Sequence, residues 1–148
     1  TAPYNGLLVV LLMLNSTDLK NSNNVVYELT EPWDGASRWL IVRDVGASLG
    51  ETGKLYPRRN YLPVFEKEGF VVKVENGRVD FAFKGRHQEL LDILRPRDVR
   101  WAADRLSRLT DRQWRDAFRA ANYADPIADR YIARIKEKIA FGLTLPQD

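Results

Sequence analysis

Leu7 to Leu14 is an unbroken apolar run, LLVVLLML. A helix built from it is apolar on every side, and a helix of that kind belongs inside a core rather than on a surface. Asn5 is placed to cap it. The run falls well short of the roughly 20 residues that a bilayer span needs. No Lys or Arg precedes it and no small-residue cleavage site comes after it, so it does not read as a secretory signal. A buried helix gives the next stretch of chain a rigid base, and here that stretch is a polar segment, Asn15 to Asn24.

Two β-rich segments come next, Val25 to Thr30 and Arg38 to Arg43, separated by EPWDGAS. Pro32 and Asp34-Gly35 are turn formers, so a hairpin is expected. From Ala47 to Asn60 the chain is rich in Gly and charge and contains Pro57, which predicts an extended loop. Phe70 to Glu75 and Arg78 to Phe83 alternate around Asn76-Gly77, the signature of a second hairpin with a type I′ turn. The pattern then becomes helical over His87 to Leu94 and over Asp98 to Leu109, with Asp98 as N-cap. Thr110 with Gln113 forms a capping box that opens a helix through Ala121. Asp125-Pro126 opens a last helix on which Ile127, Tyr131, Ile135 and Ile139 recur, with Gly142 expected to close it. The expected fold is α+β and mainly α, with two hairpins on one side and a C-terminal helical bundle.

At 148 residues, 45% apolar and 29% charged, the chain fits one domain, 1–148, with a core of its own. It contains no cysteine, which excludes disulfides, thiolate metal sites and cysteine nucleophiles. The net charge of +3 is a mild excess that reads as solvated helix faces. A basic nucleic-acid-binding domain would need its arginines on one face, whereas Arg97, Arg100, Arg105, Arg108, Arg112 and Arg115 spread over two helices and several angles. Nucleic acid is therefore not an expected partner. The compartment stays open, with the cytoplasm favoured.

The polar segment and the residues after the first hairpin carry the chemistry. LNSTDLKNSNN at 14–24 places an Asp, a Lys two residues on and an Asn five residues on (Asp18, Lys20, Asn23), and RDVG at 43–46 adds Asp44 and Gly46. Phosphoryl transfer asks for a carboxylate near the acceptor hydroxyl, Mg²⁺ to neutralise phosphate charge and oxygen ligands for that metal. Asp18 suits the acceptor, Lys20 the transferring phosphoryl group and the nucleotide phosphates, and Asn23 with Asp44 the metal. Gly46 lets the backbone turn sharply after the metal ligand.

DLKNSN resembles the DLKPEN-type catalytic loop of protein kinases, and RDVGASLG is similar to the metal-binding segment where Asp-Phe-Gly usually stands. The resemblance spans roughly residues 7–50. Ser16 and Thr17 stand where protein kinases carry His-Arg, Val45 replaces Phe, and no Ala-Pro-Glu comes after the loop. The arrangement therefore looks more like the atypical branch that includes lipid kinases and HipA-like kinases. By resemblance the first helix, polar loop and hairpin would begin a C-terminal lobe that works on Mg²⁺-ATP and an unidentified phosphate acceptor.

No glycine-rich strand-turn-strand precedes Asp18, and no Lys-Glu pair to clamp the α/β-phosphates is recognisable. The chain also starts without Met, close to the buried helix. These features lead to the expectation of a piece of a longer protein that lacks an N-terminal lobe and transfers no useful phosphate alone. The competing function is a pseudokinase-type scaffold without turnover, although a scaffold has no physical need for Asp18, Asn23 and Asp44 together. His87, the sole histidine, is expected as a surface or capping residue. Trp101, Trp114, Phe118, Tyr123 and Tyr131 are expected in or beside the core, and Trp39 is expected to pack inward while Trp33 stays exposed. Arg58 and Arg59 are open to either solvation or contact with an acidic substrate.

Overall fold

The computed structural model describes residues 1–17, 19, 23–85 and 87–147. Helix α1 (Ala2–Met13) leads through the polar loop into the antiparallel pair β1 (Asn24–Trp33) and β2 (Ala36–Val42). A long irregular stretch reaches the short helix α2 (Leu62–Phe65) and a second antiparallel pair, β3 (Val71–Glu75) and β4 (Arg78–Phe81). Helices α3 (Pro96–Ser107), α4 (Asp111–Ala120) and α5 (Asp125–Thr144) complete the chain. The architecture is α+β and mainly α, with the two hairpins forming separate sheets.

Helix α1 is buried through Leu8, Val9, Leu11, Leu12 and Met13, as an all-apolar helix must be. It begins a turn earlier than an Asn5 cap would allow: Thr1 occupies the N-cap and Asn5 donates its amide to the Thr1 carbonyl. Pro3 explains the difference, since a proline in the first turn gives up an amide that no helical carbonyl would have accepted. Glycine sets the spacing of α3 from its neighbours. A Cβ on Gly6 would lie 2.3 Å from the Trp101 ring of α3, and one on Gly142 would lie 2.8 Å from Ala103 Cβ. Gly142 therefore sits inside α5, which runs on to Thr144, instead of closing it.

The capping box of α4 forms as the sequence implies, with Thr110 Oγ1 accepting from the Gln113 amide and Gln113 Oε1 from the Thr110 amide. In α3 the cap shifts to Arg95. Pro96 is suited to the first helical position, which moves Asp98 to the third, where its buried carboxylate accepts the Arg95 amide at 2.9 Å. The stretch around His87–Leu94 is not a full helix but a single 3-10 turn at Gln88–Leu90, preceded by His87 in a left-handed backbone with φ 64.

One hydrophobic cluster joins α1, α2, the second hairpin and the three C-terminal helices. Phe118 and Tyr131 are buried, while Trp101, Trp114 and Tyr123 pack against the cluster half-buried. Trp33 and Trp39 both remain on the surface, their rings 4.7 Å apart. Among the described residues no helix is long and apolar enough to cross a membrane.

Candidate functional site

Asp18 and Lys20 of the expected site lie outside the described residues, as do Asn21 and Ser22. The two metal-ligand candidates are described, and the first hairpin brings their surroundings together. Asn24 pairs with Val42 at its base. One step further the Arg43 amide donates to the Asn23 carbonyl at 2.7 Å, so Asn23 lies against the residue that precedes Asp44. Asn23 is buried and Asp44 exposed. Asp44 Oδ1 accepts the Gly46 amide at 2.8 Å, which fixes the carboxylate over the turn in the manner of Asp in a short polar turn. Arg43 folds back along the hairpin, its guanidinium donating to the Tyr27 hydroxyl.

The polar loop is tied a second time to the segment beyond RDVG. Leu49 donates to the Leu14 carbonyl at 2.8 Å and Thr17 donates to the Ala47 carbonyl at 3.0 Å. Leu49 has φ 58, a conformation that costs a bulky residue about 1–3 kcal/mol and persists only where surroundings enforce it. Its amide bond to Leu14, its carbonyl's bond from the Tyr61 amide at 2.9 Å and a further bond from the Tyr131 hydroxyl at 3.3 Å provide that enforcement. Ser16 and Ser48, at this junction, keep buried hydroxyls without a protein partner among the described residues.

Beneath the loop lies a polar network that the sequence pattern did not reveal. Asn15, buried and left-handed at φ 51, donates to the Gly50 carbonyl and to Glu68 Oε2, both at 2.9 Å. Glu68 Oε1 accepts the Thr52 amide at 2.8 Å. Lys138 of α5, only 1% exposed, donates Nζ to the Met13 carbonyl and to Asn15 Oδ1, both at 2.8 Å. Its Nζ lies 4.4 Å from the Phe65 ring centroid. Burial, reinforced by nearby Arg134 and opposed by Glu68, pulls its pKa down to about 7. The signal was present in the spacing: Tyr131, Ile135, Lys138 and Gly142 follow the 4-3-4 rhythm of a helix's inner stripe.

Glu51 anchors the long loop. Arg58 donates to its carboxylate at 3.1 and 3.3 Å, and Lys54 adds an ion pair at 2.6 Å. Arg58 first, then Lys54, hold the Glu51 pKa down to about 2. Arg58 also lies 4.0 Å from the Tyr61 ring centroid, so it is a structural member of the loop. Several arginines in and beside α3 and α4 have local acids or carbonyls: Arg108 pairs with Asp104, Arg112 with Asp116 and Arg115 with Asp129, while Arg100 donates to the Leu145 carbonyl.

Among the described residues no cluster of three or more His, Cys, Asp or Glu side chains is placed to hold a metal ion. What the arrangement offers is one exposed carboxylate and one amide-bearing residue at the open end of a hairpin, with the root of the polar loop fixed from below. Comparison with protein families, with curated proteins and with solved structures finds no match to this chain.

Proposed function

We propose that the chain is the catalytic lobe of a kinase-like phosphotransferase of the atypical branch, which moves the γ-phosphoryl group of ATP to an acceptor hydroxyl. The observation that supports this reading is the hydrogen bond from the Arg43 amide to the Asn23 carbonyl, because it sets Asn23 of one motif against the first residue of the other, twenty positions on. In this reading Asp18 orients the acceptor hydroxyl and takes its proton as the oxygen attacks phosphorus. The bond to the bridging oxygen breaks and ADP leaves. Lys20 stabilises charge on the transferring group. Clamping of adenine and the α/β-phosphates is assigned to a second lobe.

Mg²⁺ takes hard oxygen ligands, and the donors here are of that class. Asp44 Oδ2 has no protein partner among the described residues, since only Oδ1 is engaged, and Asn23 adds an amide oxygen. When bound, the ion neutralises charge on the β- and γ-phosphates. Most of the remaining work is positioning, which is the task of the network below Asn15.

Two variants, made in a full-length protein that carries both lobes, test the assignment. Asp18→Asn should lower single-turnover phosphotransfer by about 10² to 10⁴ while nucleotide binding persists. In Asp44→Ala the Mg²⁺-dependent thermal stabilisation by nucleotide should shrink, from about 2.7 kcal/mol at 100 times the dissociation constant. Full activity of Asp18→Asn would remove the catalytic-loop assignment. An unchanged Mg²⁺-dependent shift in Asp44→Ala would remove the metal site and favour the scaffold.

A further inference from the structure

Arg59 comes from the long loop and Lys84 and His87 from the segment after β4, and they line one cleft of about 200 Å³ together with Lys54. Thr17, which directly precedes Asp18, lines the same cleft, and among the described residues no carboxylate does. The basic groups are not equivalent. Lys54 is offset by Glu51 at 2.6 Å, and His87 meets Glu89 through Nδ1 at 3.1 Å. Arg59 and Lys84 have no ion-pair partner among the described residues.

The backbone is shaped to hold Lys84 there. Gly53 has φ +80, and a Cβ on it would stand 3.0 Å from Lys84 Cβ, so the glycine makes room for the lysine stem. Lys84 is held from the other side as well, its amide donating to Thr52 Oγ1 at 3.4 Å. His87 lines the cleft from the left-handed conformation in which it precedes the 3-10 turn. Two unneutralised cations and an imidazole around one small cavity raise the local potential and draw in anions. The volume is below the roughly 300 Å³ at which pockets for whole drug-sized ligands begin, so it suits a single anionic group better than a nucleotide.

We propose that this cleft holds the anionic group of the phosphate acceptor, a phosphate monoester that binds beside Thr17. Its assignment to the acceptor rests on the phosphotransfer reading above, whereas the anion site does not. The same group can belong to a free sugar phosphate or to a lipid headgroup.

Because His87 is the only histidine, its imidazole C–H resonances report on the cleft without overlap. Titration with inorganic phosphate at constant ionic strength should move them saturably. The double variant Arg59→Gln/Lys84→Gln, which alters two exposed side chains, should weaken that binding at least tenfold with its melting temperature retained. Absence of a saturable shift, or equal binding by the double variant, would overturn the proposal. Glucose 6-phosphate and vesicles containing phosphatidic acid separate the sources: tighter Arg59- and Lys84-dependent binding of either supports the acceptor assignment, and tighter binding of neither overturns it. Nucleotide stabilisation by Mg²⁺ without any phosphate shift would remove the cleft and leave phosphotransfer standing. A phosphate shift in a full-length, two-lobed protein that Mg²⁺-nucleotide does not stabilise would leave an anion cleft but remove the kinase reading, and the acceptor assignment with it.

Discussion

Hairpin β3–β4 sends Val79 and Phe81 into the core, whereas the longer hairpin β1–β2 leaves Val26, Tyr27, Trp33, Trp39 and Ile41 exposed. Both turn through an Asx-Gly pair with positive φ at each residue, Asp34-Gly35 and Asn76-Gly77, as type I′ turns require. Turn chemistry therefore does not separate them. The difference lies in what each hairpin rests on. The second is fixed by apolar burial, with Phe70 and Phe81 rings 5.6 Å apart. The first is fixed at its base by hydrogen bonds and carries Asn23 and Asp44 just outside its two ends. An isolated two-stranded ribbon is marginal in water, and the first hairpin meets the core through Val42 at its base. Stability and candidate chemistry are thus assigned to different hairpins.

The largest effect that tests this contrast is Phe81→Ala, expected to destabilise the fold by about 3–5 kcal/mol through transfer and cavity terms. Chemical denaturation measures it. A loss under about 1 kcal/mol, the scale of ordinary surface changes, would break the comparison.

The next effect concerns the polar network under the loop. Lys138 has a native pKa near 7 against 10.5 when unfolded, so between those values the unfolded chain holds a proton that the native chain lacks. Stability should accordingly rise from pH 7 toward 10.5 and level off below 7. Arg134 and Glu68 are the charged groups nearest in influence. Comparing the pH dependence of wild type and Lys138→Met isolates this contribution, and identical slopes would show that the lysine remains protonated in the fold.

Trp39→Ala should cost only about 0.5–1.5 kcal/mol, the worth of an aromatic pair beyond its burial, since its partner Trp33 is itself 64% exposed. A cost matching that of Phe81→Ala would mean that the first hairpin has a buried face after all. The smallest effect belongs to Glu51. Its carboxylate titrates near 2 instead of 4.5, so its contribution is complete above pH 4.5 and lost as pH falls toward 2. Acid titration followed by tryptophan fluorescence should show this loss in wild type and not in Glu51→Gln.

The same contrast explains how much of the molecule was legible in its sequence. Alternation around Asn76-Gly77 and the Thr110–Gln113 box state local rules, and the structure obeys them. Asp98 and Gly142 were misplaced because their roles depend on neighbours: Pro96 starts α3 before Asp98, and Gly142 answers to Ala103 across a helix interface. Lys138 escaped notice because, following Lys136 and Glu137, it reads as one more charge of a solvated face until the helix's inner stripe is traced through it. For the candidate site, spacing proposed Asn23 and Asp44 but not the cleft. Arg59 is brought to Lys84 and His87 only by tertiary structure, and Asp18 and Lys20 fall among the residues not described.

Lys138 and Asn15 stand 123 positions apart, and that separation has a consequence for synthesis. At ~5–20 residues per second, roughly 6 to 25 s pass between translation of the polar loop and translation of the lysine that secures it. A nascent chain can form both hairpin turns in that interval, but the loop's foundation waits for the last helix. Ribosome stalling or premature termination ahead of α5 would therefore release a polypeptide with recognisable local structure and no properly seated loop, a species for chaperones or proteases to intercept.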